Sequence, residues 1–188
     1  MEELLTSMLD SGEQVLWTGK AEAYETLDAT YKKPFIRKAV IAALVFAALL
    51  TGYLIAVKGQ GVQPIIILVV LLLSAISPLN VLSDGKRLRQ TLYAATDRRL
   101  LVVRDTAKSV EYEKIAQAEF RQDEAGHTSL LCGGKGLKAK TSNWRLYTLT
   151  GPYYADEEET RCERFVLYAV DDVEGLRRVL KEKIPSAM

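Results

Sequence analysis

The sequence predicts an α+β membrane protein: a two-helix transmembrane hairpin, then a small antiparallel β-barrel or sandwich of about seven short strands, closed by a C-terminal helix. Three observations predict it. Two long runs, Ala39–Val57 and Pro64–Leu82, contain no Asp, Glu, Lys, Arg or His. After Arg89 the apolar residues recur in short alternating runs broken by Gly and Pro, the period of half-buried strands. From Val173 to Ile184 they form one stripe at helical spacing. The chain divides accordingly into a cytoplasmic N-terminal segment, 1–33, a transmembrane hairpin, 34–83, and a cytoplasmic domain, 84–188.

The opening stretch, Met1 to Thr18, carries Glu2, Glu3, Asp10 and Glu13 and no basic region followed by an apolar one, so no secretory signal is expected there. Gln14–Thr18 is strand-like. Trp17 is a large apolar side chain that needs a core, so this segment is expected to pack on the domain that follows the hairpin.

Each apolar run is about 19 residues, and at 1.5 Å per residue a helix of that length spans roughly 30 Å, the thickness of a bilayer's hydrocarbon. Lys32, Lys33, Arg37 and Lys38 precede the first run, and Lys86, Arg87 and Arg89 follow the second. The connecting loop, 58–63, offers only Lys58. The positive-inside rule then places both termini in the cytoplasm and the short loop outside the cell membrane. Tyr31, Phe35 and Tyr53 fall near the span ends, where amphipathic rings favour the interface. Pro64 suits the first position of a helix. Pro78 is expected to kink or end the second span, leaving Leu79–Leu88 along the interface. Ala39, Ala43 and Ala47 are spaced by four, as are Ala48 and Gly52, a spacing that lets helices approach closely, here the second span or another copy. No acidic, basic or imidazole group lies within either run, which argues against a transporter or channel for this chain alone.

In the domain, Thr91–Ala95 and Arg99–Arg104 flank the polar turn Thr96-Asp97-Arg98 and form an expected hairpin. Val110 and Tyr112 alternate with glutamates. Ala116, Ala118 and Phe120 alternate with polar residues. Thr128–Cys132, Trp144–Leu149 and Arg164–Ala169 are further strand candidates. Asp171, with Glu174 after it, is positioned to cap the last helix. Val173, Leu176, Val179, Leu180 and Ile184 form its apolar stripe, with basic residues toward its C-terminal end.

Two motifs in this order resemble a known family. Gly12-Glu13-Gln14-Val15-Leu16-Trp17-Thr18-Gly19-Lys20 is similar to the opening motif of bacterial PH-like membrane proteins. Tyr93-Ala94-Ala95-Thr96-Asp97-Arg98-Arg99-Leu100 resembles that family's hairpin motif, and a transmembrane hairpin between the two is typical of it. Ala21 stands where that family commonly has Pro, and Ala95 where it has a larger aliphatic. The resemblance implies a PH-like seven-strand domain with a C-terminal helix, and no catalytic residue.

The search for chemistry is consistent with that. Lys plus Arg nearly balance Asp plus Glu, so no global field points to nucleic acid. Cys132 and Cys162 have no CxxC spacing and are expected as two ordinary thiols in a reducing compartment. His127 and Cys132 are odd-spaced on a strand and would face opposite sides. Gly133-Gly134-Lys135-Gly136 lacks the GxxxxGK(S/T) spacing of a phosphate loop and is expected as a hairpin tip. Asp156–Glu159 is expected as a solvated loop. No catalytic residue, metal site or cofactor is expected. The residues expected to contact lipid phosphates are Lys86, Arg87, Arg89, Arg98 and Arg99, since juxtamembrane bases gain about 1 kcal/mol each near an anionic leaflet. The expected function is a non-catalytic, membrane-anchored PH-like module that binds or scaffolds a protein partner, membrane or cytoplasmic or a second copy. The alternative is a subunit or assembly factor of a larger membrane complex, acting through its transmembrane helices.

Overall fold

Strand β1, Val15–Lys20, precedes the apolar runs in sequence, yet it pairs antiparallel with β2, Leu92–Thr96, which follows them. The computed structural model describes residues 2–22, 25, 27–57, 61 and 63–184. They form two units: Met1–Glu25 together with Asp84–Met188, and Thr26–Ser83.

The first unit holds two antiparallel sheets. One has the order β1-β2-β3-β4, with β3 at Arg99–Val103 and β4 at Ala107–Glu111. The other comprises β5 (Ala118–Gln122), β6 (Thr128–Cys132), β7 (Tyr153–Tyr154) and β8 (Cys162–Leu167), in the order β5-β6-β8-β7. A single bridge, Ala21 to Val170, extends β1 toward the segment after β8. The sheets are not closed into a barrel, which corrects that part of the expectation.

β2 and β3 are buried on both faces. Tyr93, Ala95, Leu100 and Val102 face the main core, while Leu92, Ala94, Leu101 and Val103 are covered by Leu5 of α1, Glu2–Ser7. Double burial explains why these strands are continuously apolar rather than alternating. The main core is completed by Leu130, Phe165 and Leu167 of the second sheet, and by Leu176, Leu180 and Ile184 at the last helix.

Two segments differ from expectation. Trp144–Thr150 is a helix, α5, not a strand. Trp144 and Thr148 are buried one turn apart, while Leu146 between them is exposed, which fits a helical face rather than a pleat. Gly134–Leu137 is a short helix, α4, in place of a hairpin tip. Gly133 before it has φ +80°, and a Cβ there would lie 2.4 Å from the Glu163 backbone carbon, so only glycine lets the chain cross β8 at this point. The last helix is α6, Val173–Lys183. Its cap is Asp172, whose side chain accepts from the Gly175 N–H, rather than Asp171, which accepts from the Lys20 N–H.

Trp17 is buried, and its Nε1 donates to Asp172 Oδ2 at 2.9 Å. A Cβ at Gly19 would come within 2.3 Å of the indole, so that glycine leaves room for the ring. The N-terminal segment is thus an integral part of the first unit.

The second unit contains α2, Ala29–Ala56, and most of α3, Pro64–Leu88. Asp28 caps α2 by accepting from the Thr30 and Tyr31 N–H groups. α2 is long and apolar enough to cross a membrane, and α3 carries a shorter apolar stretch, Pro64–Ile76. α3 continues through position 78 to Leu88 rather than ending at the proline. Of the expected external loop, residues 58–60 and 62 lie outside the described residues. The hydroxyls of Thr51 and Ser74 donate to the carbonyls of Ala47 and Val70, one turn back, which satisfies them inside their own helices. On α2 the less exposed positions include Phe35, Ala39, Ala42, Phe46, Leu50 and Tyr53, which share one helical face, whereas Ala43, Ala47, Ala48 and Gly52 are exposed.

Candidate functional site

A cleft of about 510 Å³ opens at the β2–β3 turn, lined by Asp10, Asp97, Arg98, Arg99, Glu111, Tyr112, Glu113 and Lys183. Its Asp97–Arg99 side lies where the two sequence motifs meet. Two hydrogen bonds join Gln14 and Asp97: the Gln14 N–H donates to the Asp97 side-chain Oδ1 and the Asp97 N–H to the Gln14 carbonyl, each at 3.0 Å. Beside them Glu13 is fully buried and receives a bidentate fork from Arg99, Nε to Oε1 at 2.9 Å and Nη2 to Oε2 at 2.7 Å. The Thr96 hydroxyl donates to Glu13 Oε1 at 2.7 Å, and the Asp10 N–H donates to Oε2 at 2.9 Å. The Arg99 hydrogen bonds outweigh burial and hold the Glu13 carboxyl down at about 2. Tyr112 is anchored by donating its hydroxyl to the Thr96 carbonyl at 2.9 Å, and burial pushes its pKa up.

The basic residues singled out in the sequence occupy two separate places. Lys86 and Arg87 are exposed in the last turn of α3, and Arg89 follows just before β2. Arg98 and Arg99 lie past the other end of β2. That strand has five residues, about 16 Å at 3.3 Å per residue, so the structure does not gather all five bases into one cluster. Arg99 is engaged by Glu13, with Asp10 a further 3.2 Å away. Arg98 is half exposed, 3.8 Å from Asp97. The cleft they border is of mixed charge.

A buried polar network escaped the sequence reading. Arg145 on α5 is 1% exposed and donates to the Tyr168 hydroxyl at 3.3 Å and the Glu25 carbonyl at 3.4 Å. The Tyr168 hydroxyl donates to Asp123 Oδ2 at 2.8 Å. Asp123 Oδ1 accepts the N–H groups of Ala125 and His127, forming the β5–β6 turn. His127 Nδ1 lies 3.2 Å from Glu22 Oε2. With the Ala21–Val170 bridge, these contacts fasten Ala21 and Glu22 to the second sheet's β5–β6 turn and following segment, and Glu25 to α5. A buried arginine on an alternating segment has no sequence signature, which is why it was missed.

The thiols sit elsewhere. Cys132 closes β6 at the end opposite His127, and burial pushes its pKa up, as it does for Cys162. A buried, protonated thiol is a poor nucleophile.

No family model, curated protein or solved structure matches this chain.

Proposed function

We propose that this chain is a two-span, membrane-anchored PH-like module, both termini cytoplasmic, that binds or scaffolds a protein partner and catalyses nothing. One observation carries the proposal: the apolar unit Thr26–Ser83 is inserted between β1 and β2 of a single sheet. A domain completed by strands from both sides of an apolar insert is tethered twice. Many α2 and α3 side chains, from Ile36 to Leu79, are large, apolar and exposed, which suits a lipid surrounding. In this proposal α3 supplies the second span, and the bases flanking the insert set its orientation. The inert thiols and the Glu22-engaged His127 favour a surface-presenting role over turnover. The mixed-charge cleft at the β2–β3 turn is the concave surface on offer, with Arg98 as its exposed cation. A second reading, a subunit or assembly factor acting through its spans, is favoured by the exposed Ala43, Ala47, Ala48 and Gly52 of α2.

Reporter fusions test the proposal. A fusion after Met188 should report the cytoplasm and one at Gln60 the outside. In the same strain, His127→Ala and Cys132→Ser should leave partner capture by the detergent-solubilised chain intact. An external C-terminus would overturn the orientation. Loss of function in either point variant, with the chain folded and inserted, would favour an enzyme.

A further inference from the structure

At the Cys162 end of β8 two exposed loops of opposite charge lie side by side. Cys132 pairs with Phe165, so the chain leaving β6 crosses β8 and forms the segment bearing Lys135, Lys138 and Lys140, all exposed. Tyr154 pairs with Cys162, so the connection between β7 and β8 emerges at the same end, bearing Asp156, Glu157, Glu158 and Glu159, all exposed.

Both loops are held in shape. In the basic one, the Leu137 carbonyl accepts from Arg121 Nη1 at 2.6 Å and the Ala139 carbonyl from Trp144 Nε1 at 3.2 Å. Lys135 Nζ sits 4.7 Å from the centre of the Tyr153 ring, which also lies 5.1 Å from the Arg164 guanidinium; Arg164 is stacked 3.9 Å from Tyr147. In the acidic loop, the Asp156 carboxylate accepts from the Thr160 N–H and hydroxyl, and the Glu159 N–H donates to the Asp156 carbonyl. Pinned loops lose little entropy when they are engaged. Among the described residues, no ion pair joins these lysines to these acids.

We propose that this surface docks a second copy of the chain, the Lys135–Lys140 loop of each copy against the Asp156–Glu159 loop of the other. A two-fold pairing presents the same patch on both partners, and a patch with a positive and a negative half is complementary to itself. Three lysines meet a run of four acids twice over in such a pair. The proposal names a partner for the binding module and rests on that reading only for the tether, which raises the effective concentration of one copy near another. Opposed exposed charges steer association and weaken with salt.

Charge reversal in the full detergent-solubilised chain tests it, with energy transfer between donor- and acceptor-labelled copies as the readout. The wild type should transfer at low salt and lose transfer at about 0.5 M salt, where the Debye length falls to roughly 4 Å. K135E/K138E/K140E has two negative loops and E157K/E158K/E159K two positive ones. Each alone should associate at least about tenfold more weakly than wild type. Mixed in equal amounts, the two variants should pair again, and cooperative unfolding of each variant by Trp144 fluorescence checks that both are folded. The proposal is overturned if either variant alone associates like wild type, or if the mixture stays monomeric. It is equally overturned if the lysine variant keeps its self-association and loses only binding to phosphatidylglycerol vesicles, because the basic loop would then serve lipid. These outcomes do not depend on topology, so they are separable from failure of the anchored-module reading.

Discussion

Replacing Trp17 with Ala is expected to destabilise the first unit by about 3–5 kcal/mol, the usual cost of truncating a buried tryptophan. Trp17 is 8% exposed and belongs to the same core as Tyr93, Phe165 and Leu176. Its removal leaves a cavity, and it leaves Asp172 without the Nε1 donor while that residue still caps α6. The loss should lower the melting temperature of the unit by roughly 10 °C or more. Fluorescence of the remaining Trp144, buried on α5, reports the transition without interference from the apolar helices. An unchanged transition would mean that the segment before the insert is not part of the fold.

The second large effect is expected at the Glu13–Arg99 pair. Glu13 titrates at about 2 when folded, against an ordinary value of 4.5. Its contribution to stability is therefore complete above about pH 4.5 and is lost as pH falls through 2. A depression of that size corresponds to about 3 kcal/mol. Arg99→Ala should cost a similar amount at neutral pH, because it strands a buried carboxylate. Glu13→Gln should lose that stability at neutral pH and flatten the acid limb of the profile. Urea unfolding of the wild type and both variants from pH 2 to 7 reads this directly. Equal acid slopes in wild type and Glu13→Gln would show that Arg99 does not hold Glu13 in this way.

The sequence carried the gross plan through strong, local signals. Uninterrupted apolar runs, a period-2 pattern and a helical stripe each follow from burial on a regular element, so α2, most strands and α6 were legible. Trp17 was legible because a tryptophan that size needs a core. What failed depended on tertiary partners. Trp144–Thr150 alternates like a strand, yet buried Arg145 must reach Tyr168, and a helix delivers it. Asp171 and Asp172 are equivalent as caps in sequence, but β1 takes the first and Trp17 and Gly175 take the second. The candidate site was only half legible. Arg98 and Arg99 stood out as bases on a turn. That Arg99 is engaged by Glu13, 86 positions away, is set by the pairing of β1 with β2 and by no local pattern.

In the proposed arrangement a membrane-inserted unit interrupts a cytoplasmic domain that folds from both flanks. Its most direct test compares the full chain with one in which Thr26–Ser83 is replaced by a short Gly/Ser linker. Both are fractionated in alkaline carbonate, and the soluble product is checked for cooperative unfolding. The full chain should remain with the membranes, and the shortened chain should appear in the supernatant, folded, with Trp17 shielded from quenchers. Release of the full chain by carbonate, or a shortened chain that is soluble but has Trp17 exposed, would contradict the account.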